Sequence, residues 1–148
     1  MDNLRNIEHI NLSDAWAKLD RIDYDFQFKN GKWERLSRET YNRGDGTAIL
    51  LYNSEKRTVI LTRQFRMPIY ENNRLEGMSI EVCAGAIDKS KSPEETIISE
   101  VEEEVGYKIS SVKQVLSAYS SPGAMTEKMY LFVAEFDESM KISEGGGL

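Results

Sequence analysis

Apolar and polar residues alternate in the first part of the chain, and this period of two is typical of β-strands. The segment Ile22–Phe28 reads IDYDFQF, with its apolar residues in step. Asn30-Gly31 follows as a strong hairpin signal, and a second extended segment covers Lys32–Asn42. The pattern therefore predicts a small N-terminal antiparallel β unit.

Short apolar segments separated by turn residues continue along the chain and predict five further strands. These are Thr47–Tyr52, Thr58–Arg63, Ser79–Cys83, Val112–Ala118 and Lys128–Phe136. Turns are predicted at Asn53–Lys56 and at Ser121-Pro122-Gly123. Met67–Gly77 contains a proline, paired asparagines and a glycine, which predict a long loop. The chain ends in GGGL, which also has the composition of a loop.

One helix is well marked, over Pro93–Val105. Ser92 is a good N-cap, proline is favoured at the first helical position, and Gly106 is a good terminator. An apolar face at helical spacing must pack against a sheet. Its members are Ile97, Ile98, Val101 and Val105. The elements together predict an α+β fold.

Glu100 and Glu104 lie four residues apart at the border of this apolar face. Like charges at that spacing repel by about 0.2–0.5 kcal/mol when exposed, and by more when partly desolvated. A divalent cation would relieve the repulsion, and carboxylate clusters without histidine suit Mg²⁺ or Mn²⁺. Considered alone, however, a row of glutamates on a helix is more often a solvated face.

Composition excludes several classes of function. A chain of 148 residues is long enough for one globular domain. The net charge of −6 argues against binding of nucleic acid polymers, and the longest apolar stretch, Ala48–Tyr52, is far too short to span a membrane. Cys83 is the only cysteine, so no internal disulfide forms and a cytoplasmic location is expected. His9, the only histidine, lies in a polar segment and is not expected to be catalytic.

The segment from Gly85 to Tyr107 resembles the Nudix box, GX5EX7REUXEEXGU, in which U is aliphatic. Gly85 and Gly106 match its two glycines, and Val101 matches an aliphatic position. Its three clustered glutamates are matched by Glu100, Glu103 and Glu104. Two positions depart from the pattern: Lys91 stands at the first glutamate and Ser99 at the arginine. In the family these two residues pair with one another, and here both are replaced together.

Other segments are similar to one branch of the superfamily, the GDP-mannose pyrophosphatases, which are related to the ADP-ribose pyrophosphatases. These segments are Arg38–Gly44, Leu61–Arg66, Ile80–Gly85 and Ser121–Glu127. The resemblance implies a Nudix α/β/α sandwich with a mixed sheet. It also implies an N-terminal β segment over residues 1–43 that takes part in a homodimer, followed by a Nudix domain over 44–148 without the family's C-terminal strand and helix.

The resemblance also implies roles for individual residues. The carbonyl of Ala84 with Glu100 and Glu104 would hold Mg²⁺, and Glu103 would bind a second metal ion or support the ligands of the first. The three glutamates, Glu100, Glu103 and Glu104, would be the catalytic residues. Substrate would be contacted by Trp16, Arg38, Arg63, Arg66 and Glu81, with Arg66 on the diphosphate because its planar fork suits phosphate oxygens. Trp16 is alternatively an interface residue, and Arg38 and Arg63 are alternatively partners in structural ion pairs.

The function implied is Mg²⁺-dependent hydrolysis of a nucleoside diphosphate sugar of the GDP-mannose type, giving a nucleoside monophosphate and a sugar phosphate. An ADP-ribose pyrophosphatase is a second reading, and a non-catalytic Nudix-like domain that binds a nucleotide or a protein is a third. The catalytic base is expected beyond Leu148, since Glu144 is poorly placed for that role.

Overall fold

The computed structural model describes residues 3–73 and 76–146. The strands are β1 Leu4–Asp14, β2 Lys18–Gln27, β3 Trp33–Asn42, β4 Gly46–Asn53, β5 Thr58–Ile60, β6 Thr62–Phe65, β7 Met78–Glu81, β8 Cys83–Ala86, β9 Lys113–Tyr119 and β10 Lys128–Glu135. The α-helices are α1 Met67–Asn73 and α2 Pro93–Glu100. The residues group into two compact units, Met1–Asp45 with Tyr119–Lys128, and Gly46–Ala118 with Met129–Leu148.

The first unit contains an antiparallel sheet in the order β1-β2-β3. The predicted hairpin is confirmed: Gly31 adopts a φ of 81°, and its N–H donates to the carbonyl of Phe28 at 2.9 Å. Strand β1 was not predicted, because its side chains are mostly polar and exposed. It is held by its backbone ladder to β2 and by cross-strand contacts such as the 2.8 Å hydrogen bond from Asn6 to Asp25.

A buried carboxylate joins the two segments of the first unit. Glu127 is only 4% exposed. It accepts hydrogen bonds from Arg43 Nε at 2.6 Å and from Ser120 Oγ at 2.7 Å. The backbone of Tyr41 also bonds to this segment, donating to the carbonyl of Ala124 at 2.8 Å. Ser121 accepts from Ala124 N–H, which confirms the predicted turn at Ser121-Pro122-Gly123.

The second unit is built on a five-stranded mixed sheet. Strand β4 is parallel to β10 and antiparallel to both β5 and β8, and β9 lies on the far side of β10. Strands β6 and β7 form a separate two-stranded antiparallel sheet. The mixed sheet expected from the sequence is therefore present.

The core of this unit lies between α2 and the mixed sheet. Its buried members are Ile49, Leu51, Cys83, Ile97, Val101, Val105, Tyr107, Ile109, Phe132, Ala134 and Phe136. Three of the four residues predicted for the apolar helix face are buried, and Ile98 packs against the cluster. This packing fixes the rotation of α2 and so decides where its glutamates project.

Several predictions of local structure were wrong. The predicted strand Thr58–Arg63 is divided at Leu61 into β5 and β6, and the predicted strand Ser79–Cys83 is divided at Val82 into β7 and β8. Met67–Gly77, predicted as a loop, begins with helix α1, because Pro68 lies in the first turn, where its missing N–H costs nothing. The carbonyl of Arg66 accepts from the N–H groups of Ile69 and Tyr70 there. Residues 74 and 75 of that predicted loop, and the last two residues of the predicted C-terminal loop, lie outside the described residues.

The helix predicted over Pro93–Val105 is not α-helical throughout. It is α-helical to Glu100 and continues as a π-helical turn over Val101–Val105. A short 3-10 helix at Glu138–Met140 was not predicted. No helix in the described part of the chain combines the length and the apolar character needed to cross a bilayer.

Candidate active site

The start of α2 is fixed by its own sequence. Ser92 Oγ accepts from the N–H of Glu95 at 3.1 Å, and the Glu95 carboxylate accepts from the N–H of Ser92 at 2.8 Å, which forms a complete capping box. Pro93 occupies the first turn as predicted. The capping box determines where the helix begins, and the buried apolar face determines its rotation. Both features are local to the sequence, and together they place the glutamates.

The π-helical turn ends at Gly106, as the sequence predicted. Its N–H donates to the carbonyl of Val101 at 3.1 Å, and its φ of 76° lies in the left-handed region. A Cβ at Gly106 would also overlap the backbone of Ser143. Gly106 is therefore required twice, for its conformation and for the close passage of the C-terminal segment.

Gly85 gives room to Glu100. A Cβ at position 85 would lie 2.6 Å from Cγ of Glu100 and would overlap its carboxylate. Strand β8 thus brings its backbone directly against the glutamate. Ala84, whose carbonyl is the predicted cation ligand, is the preceding residue of the same strand and is half-buried.

The helix glutamates repel one another in a partly buried setting. The pKa of Glu100 is raised, first by burial and then by the negative charges of Glu104 and Glu103. Lys91 opposes this rise. Glu103 is exposed, whereas Glu100 and Glu104 are half-buried. The structure therefore brings Glu100 and Glu104 together against β8 and places Glu103 at the solvent side.

Glu104 carries an oxygen without a partner. Its Oε1 accepts a 3.3 Å hydrogen bond from Gln64 Nε2, while its buried Oε2 has no hydrogen-bond partner among the described residues. Cys83, also buried, lies close enough for the charge of Glu104 to add to the burial that raises the pKa of its thiol. A buried carboxylate oxygen left without a donor is the kind of atom that a cation satisfies.

The side chains alone do not complete a metal centre. Among the residues that the structure describes, no group of three or more histidine, cysteine, aspartate or glutamate side chains is placed to hold a metal ion. Two carboxylates are nevertheless suited to Mg²⁺, which keeps several waters and binds through one or two carboxylates plus substrate phosphates. The donor set of Glu100 and Glu104 with a neighbouring carbonyl fits such a cation.

Arg66 and Glu81 form a two-point ion pair. Arg66 Nε and Nη2 donate to the two oxygens of Glu81 at 2.9 and 2.7 Å. The bond from Arg66 lowers the pKa of the Glu81 carboxyl, and the bond to Glu81 raises the pKa of Arg66. The negative charge of Glu104 contributes to the second effect, so Arg66 lies in the electrostatic field of the glutamate pair.

Arg63 lines a cleft of about 600 Å³ next to Glu104. The cleft is also lined by Gln64 and Glu104, and by Lys141 and Glu144 near the C-terminus. Arg63 Nη2 makes a 2.9 Å ion pair with Glu76, and both side chains are largely exposed.

The remaining two predicted residues belong to the first unit. Trp16 is 78% exposed, and the guanidinium of Arg43 lies 5.9 Å from the centre of its ring. Arg38 donates to the carbonyl of Ser37 at 2.7 Å and lines a cavity of about 370 Å³ with Tyr24 and Met125.

Comparison with known proteins decides the family. A sequence profile described as the NUDIX domain matches residues 42–147, and one described as the GDP-mannose pyrophosphatase NudK N-terminal domain matches residues 3–41. The chain belongs to the Nudix family. The prediction of a Nudix pyrophosphohydrolase is thereby confirmed.

Two similar relatives of the Nudix chain are GDP-mannose pyrophosphatases. GDP-mannose pyrophosphatase of Pectobacterium atrosepticum is 50% identical over 137 residues, which are 93% of this chain and 70% of the relative. GDP-mannose pyrophosphatase of Cronobacter sakazakii is 43% identical over 146 residues, which are 99% and 76% of the two chains. A solved structure titled as an ADP compounds hydrolase matches with a TM-score of 0.66 at 21% identity, covering 96% of this chain and 70% of that one. That likeness confirms the Nudix α+β fold.

The two positions that depart from the Nudix box are in contact. Lys91 Nζ donates to Ser99 Oγ at 3.3 Å, and Ser99 Oγ donates in turn to the carbonyl of Glu95 at 3.1 Å. The loop before α2 is thus still fastened to the helix, by a lysine and a serine in place of the family's glutamate and arginine.

Sequence reasoning on this Nudix chain missed Gln64 and the set formed by Arg43, Ser120 and Glu127. Gln64 and Glu127 lie in two of the segments that resemble the GDP-mannose pyrophosphatases. That resemblance was the signal in the sequence that could have pointed to them. Gln64 lies 40 residues from Glu104, and Arg43 lies 84 residues from Glu127, so no local pattern could reveal these two contacts.

Proposed function

We propose that this chain hydrolyses the diphosphate bond of a nucleoside diphosphate sugar of the GDP-mannose type, in a reaction that requires a divalent cation. The products are a nucleoside monophosphate and a sugar phosphate. The observation that carries the proposal is the pair of half-buried carboxylates, Glu100 and Glu104, one oxygen of which is buried with no donor among the residues that the structure describes. The names of the relatives support the choice of GDP-mannose.

Glu100, Glu104 and the carbonyl of Ala84 would hold the cation, with Mg²⁺ favoured and Mn²⁺ as an alternative. When bound, such an ion neutralises charge on phosphate oxygens and lowers the pKa of a coordinated water. Glu103, which is exposed on the same turn, contributes negative charge next to these ligands. Because Glu100 is partly buried beside the negative charge of Glu104, a bound cation would relieve the repulsion between them.

Arg66 would bind the diphosphate. Its guanidinium is already oriented by the two-point contact with Glu81, so little side-chain freedom remains to be lost when substrate binds. Glu81 would thereby position Arg66 or, through its remaining acceptor capacity, meet the sugar. Arg63 would add positive charge at the cleft beside Glu104.

Trp16 and Arg38 would bind the nucleoside. The exposed indole of Trp16 offers a flat face for a base, and Arg38 offers donors at the cavity of its own unit. The N-terminal segment, residues 1–43, is proposed to take part in a homodimer.

The test is a substrate panel with matched variants. GDP-mannose, ADP-ribose and other nucleoside diphosphate compounds are incubated with the protein and Mg²⁺, and the monophosphate products are separated by anion exchange. We expect GDP-mannose to be cleaved fastest, Glu100→Gln to lose nearly all turnover, and Glu102→Gln to retain it, because Glu102 is an exposed neighbour on the same helix. Equal turnover by Glu100→Gln and the wild type would overturn the assignment of the site, and a preference for ADP-ribose would overturn the choice of substrate.

A further inference from the structure

The two oxygens of the Glu104 carboxylate have different surroundings. Oε1 accepts from Gln64 Nε2 at 3.3 Å, and Oε2 is buried without a hydrogen-bond partner among the described residues. The bond from Gln64 therefore distinguishes the two oxygens, and the Cys83 thiol also lies close to this carboxylate.

Gln64 is itself held in place from strand β6. Its Nε2 also donates to Thr62 Oγ1 at 3.5 Å, and Thr62 Oγ1 donates to the carbonyl of Glu81 at 3.4 Å. Both contacts of the amide are made by its nitrogen, which carries two hydrogens. The strand is in turn paired with β7, where Gln64 lies opposite Ser79. The amide of Gln64 is therefore carried by a strand that is itself held in a hydrogen-bonded sheet.

From this geometry we propose that Gln64 is a positioning residue for Glu104: it holds one carboxylate oxygen so that the other stays directed to a divalent cation. The inference rests on the proposed cation site. Carboxylate ligands in metal centres are commonly hydrogen-bonded by a second group that fixes their orientation, and removal of such a group typically weakens metal affinity or activity by about 10–100-fold. Gln64 supplies this bond without adding charge.

Manganese binding measures the effect without relying on turnover. Free Mn²⁺ is quantified by electron paramagnetic resonance in titrations of the wild type, of Gln64→Met, which keeps the size but removes the donor, and of Gln114→Met, the same change at an exposed position of β9. We expect Gln64→Met to bind Mn²⁺ about tenfold more weakly and Gln114→Met to bind as the wild type does. Thermal melts of the cation-free proteins establish that each variant is folded, and Gln64→Ser replaces Gln64→Met if the latter does not fold.

A second readout separates positioning from a general structural role. The Mg²⁺ concentration that gives half-maximal hydrolysis of GDP-mannose is expected to rise for Gln64→Met, while the rate at saturating Mg²⁺ returns close to that of the wild type. In a Glu104→Gln background, Gln64→Met is expected to have less than about a twofold further effect on Mn²⁺ affinity, because the group it positions has already been changed.

Each outcome has one meaning. Failure of the wild type to bind Mn²⁺ would overturn both the proposed cation site and this inference. Equal affinity of Gln64→Met and Gln114→Met, with wild-type binding intact, would overturn the role of Gln64 alone. Additive losses in the Glu104→Gln background would show that Gln64 acts by another route and would also overturn it.

Discussion

Lys91 donates a hydrogen bond to Ser99 across the junction between the loop and helix α2, 3.3 Å from nitrogen to oxygen. The Nudix box places a glutamate and an arginine at these two positions. The structure therefore preserves the contact while changing its charge from a balanced ion pair to a single cation. That cation lies among acidic groups, since its charge acts on Glu95 and Glu100.

Restoring the family's pair should reveal coupling between the two positions. Lys91→Glu alone adds a negative charge near Glu95 and Glu100 and should lower the free energy of unfolding. Combined with Ser99→Arg, it should recover, with a coupling of about 0.2–1 kcal/mol as for other exposed pairs. Urea denaturation measures this, with Lys89→Glu in the same loop as the control. If the changes in the free energy of unfolding of the two single variants add up to that of the double variant, the restored pair does not interact.

Gly85→Ala should damage the site more than the fold. The new methyl group would overlap the Glu100 carboxylate and displace it, and displacements of about 1 Å can cost about 100-fold in rate. Steady-state hydrolysis of GDP-mannose checks this, with Gly123→Ala as the matched change because nothing lies within 4 Å of a Cβ there. Retention of wild-type turnover by Gly85→Ala would contradict the close packing of β8 on Glu100.

The raised pKa of Glu100 makes a prediction about pH. Its first cause is burial and its second is the charge of Glu104. The folded protein therefore binds this proton more tightly than the unfolded chain does, and Glu100 destabilises the cation-free fold as the pH rises through and above the unfolded value, near 4.5. Glu100→Gln should raise the melting temperature at pH 7 without metal, and the gain should vanish towards pH 4. Glu102→Gln serves as control, and a gain that does not depend on pH would contradict this cause.

Addition of a divalent cation should make the wild type melt at a higher temperature than Glu100→Gln. Binding to the folded state stabilises it by about 2.7 kcal/mol when the cation is present at 100 times its Kd. Mg²⁺ should therefore raise the melting temperature of the wild type clearly and that of Glu100→Gln little, and chelation should undo the shift. An equal shift in both proteins would place the cation elsewhere.

Arg66→Lys should show the value of the two-point contact. Lysine keeps the charge but loses the planar fork that meets Glu81 and, as proposed, the diphosphate. Loss of one charged hydrogen bond corresponds to about a 10–100-fold decrease in kcat/KM, expressed mainly in KM. Arg57→Lys, at an exposed turn, is the control. An unchanged KM for GDP-mannose would remove Arg66 from the substrate site.

What the sequence could predict follows from the range of the contacts. The cap at Ser92, the apolar face of α2 and the stop at Gly106 depend on neighbours in the chain, and all three are present. The π-helical turn over Val101–Val105 was not foreseen, because a period of 3.6 was extended through it. The widened turn leaves the buried face in place, since Val101 and Val105 both reach the core.

Contacts between residues that are distant in the chain could not be predicted from the sequence. Strand β1 depends on pairing with β2 and not on apolar alternation, so its polar sequence concealed it. The bond from Gln64 to Glu104 joins β6 to the end of the helix. The Nudix box could identify Glu104 in the sequence, but only the fold shows that Gln64 donates a hydrogen bond to one of its two oxygens.

The bond from Arg43 to the buried carboxylate of Glu127 spans 84 residues of chain and belongs to a single compact unit. During synthesis, at about 5–20 residues per second, Arg43 therefore leaves the ribosome's catalytic centre roughly 4–17 s before its partner has been made. For that interval the three N-terminal strands lack residues 119–128, the segment to which Tyr41 and Arg43 are hydrogen-bonded. The first unit is thus completed only after helix α2 and the strands β4, β5, β8 and β9 have been translated.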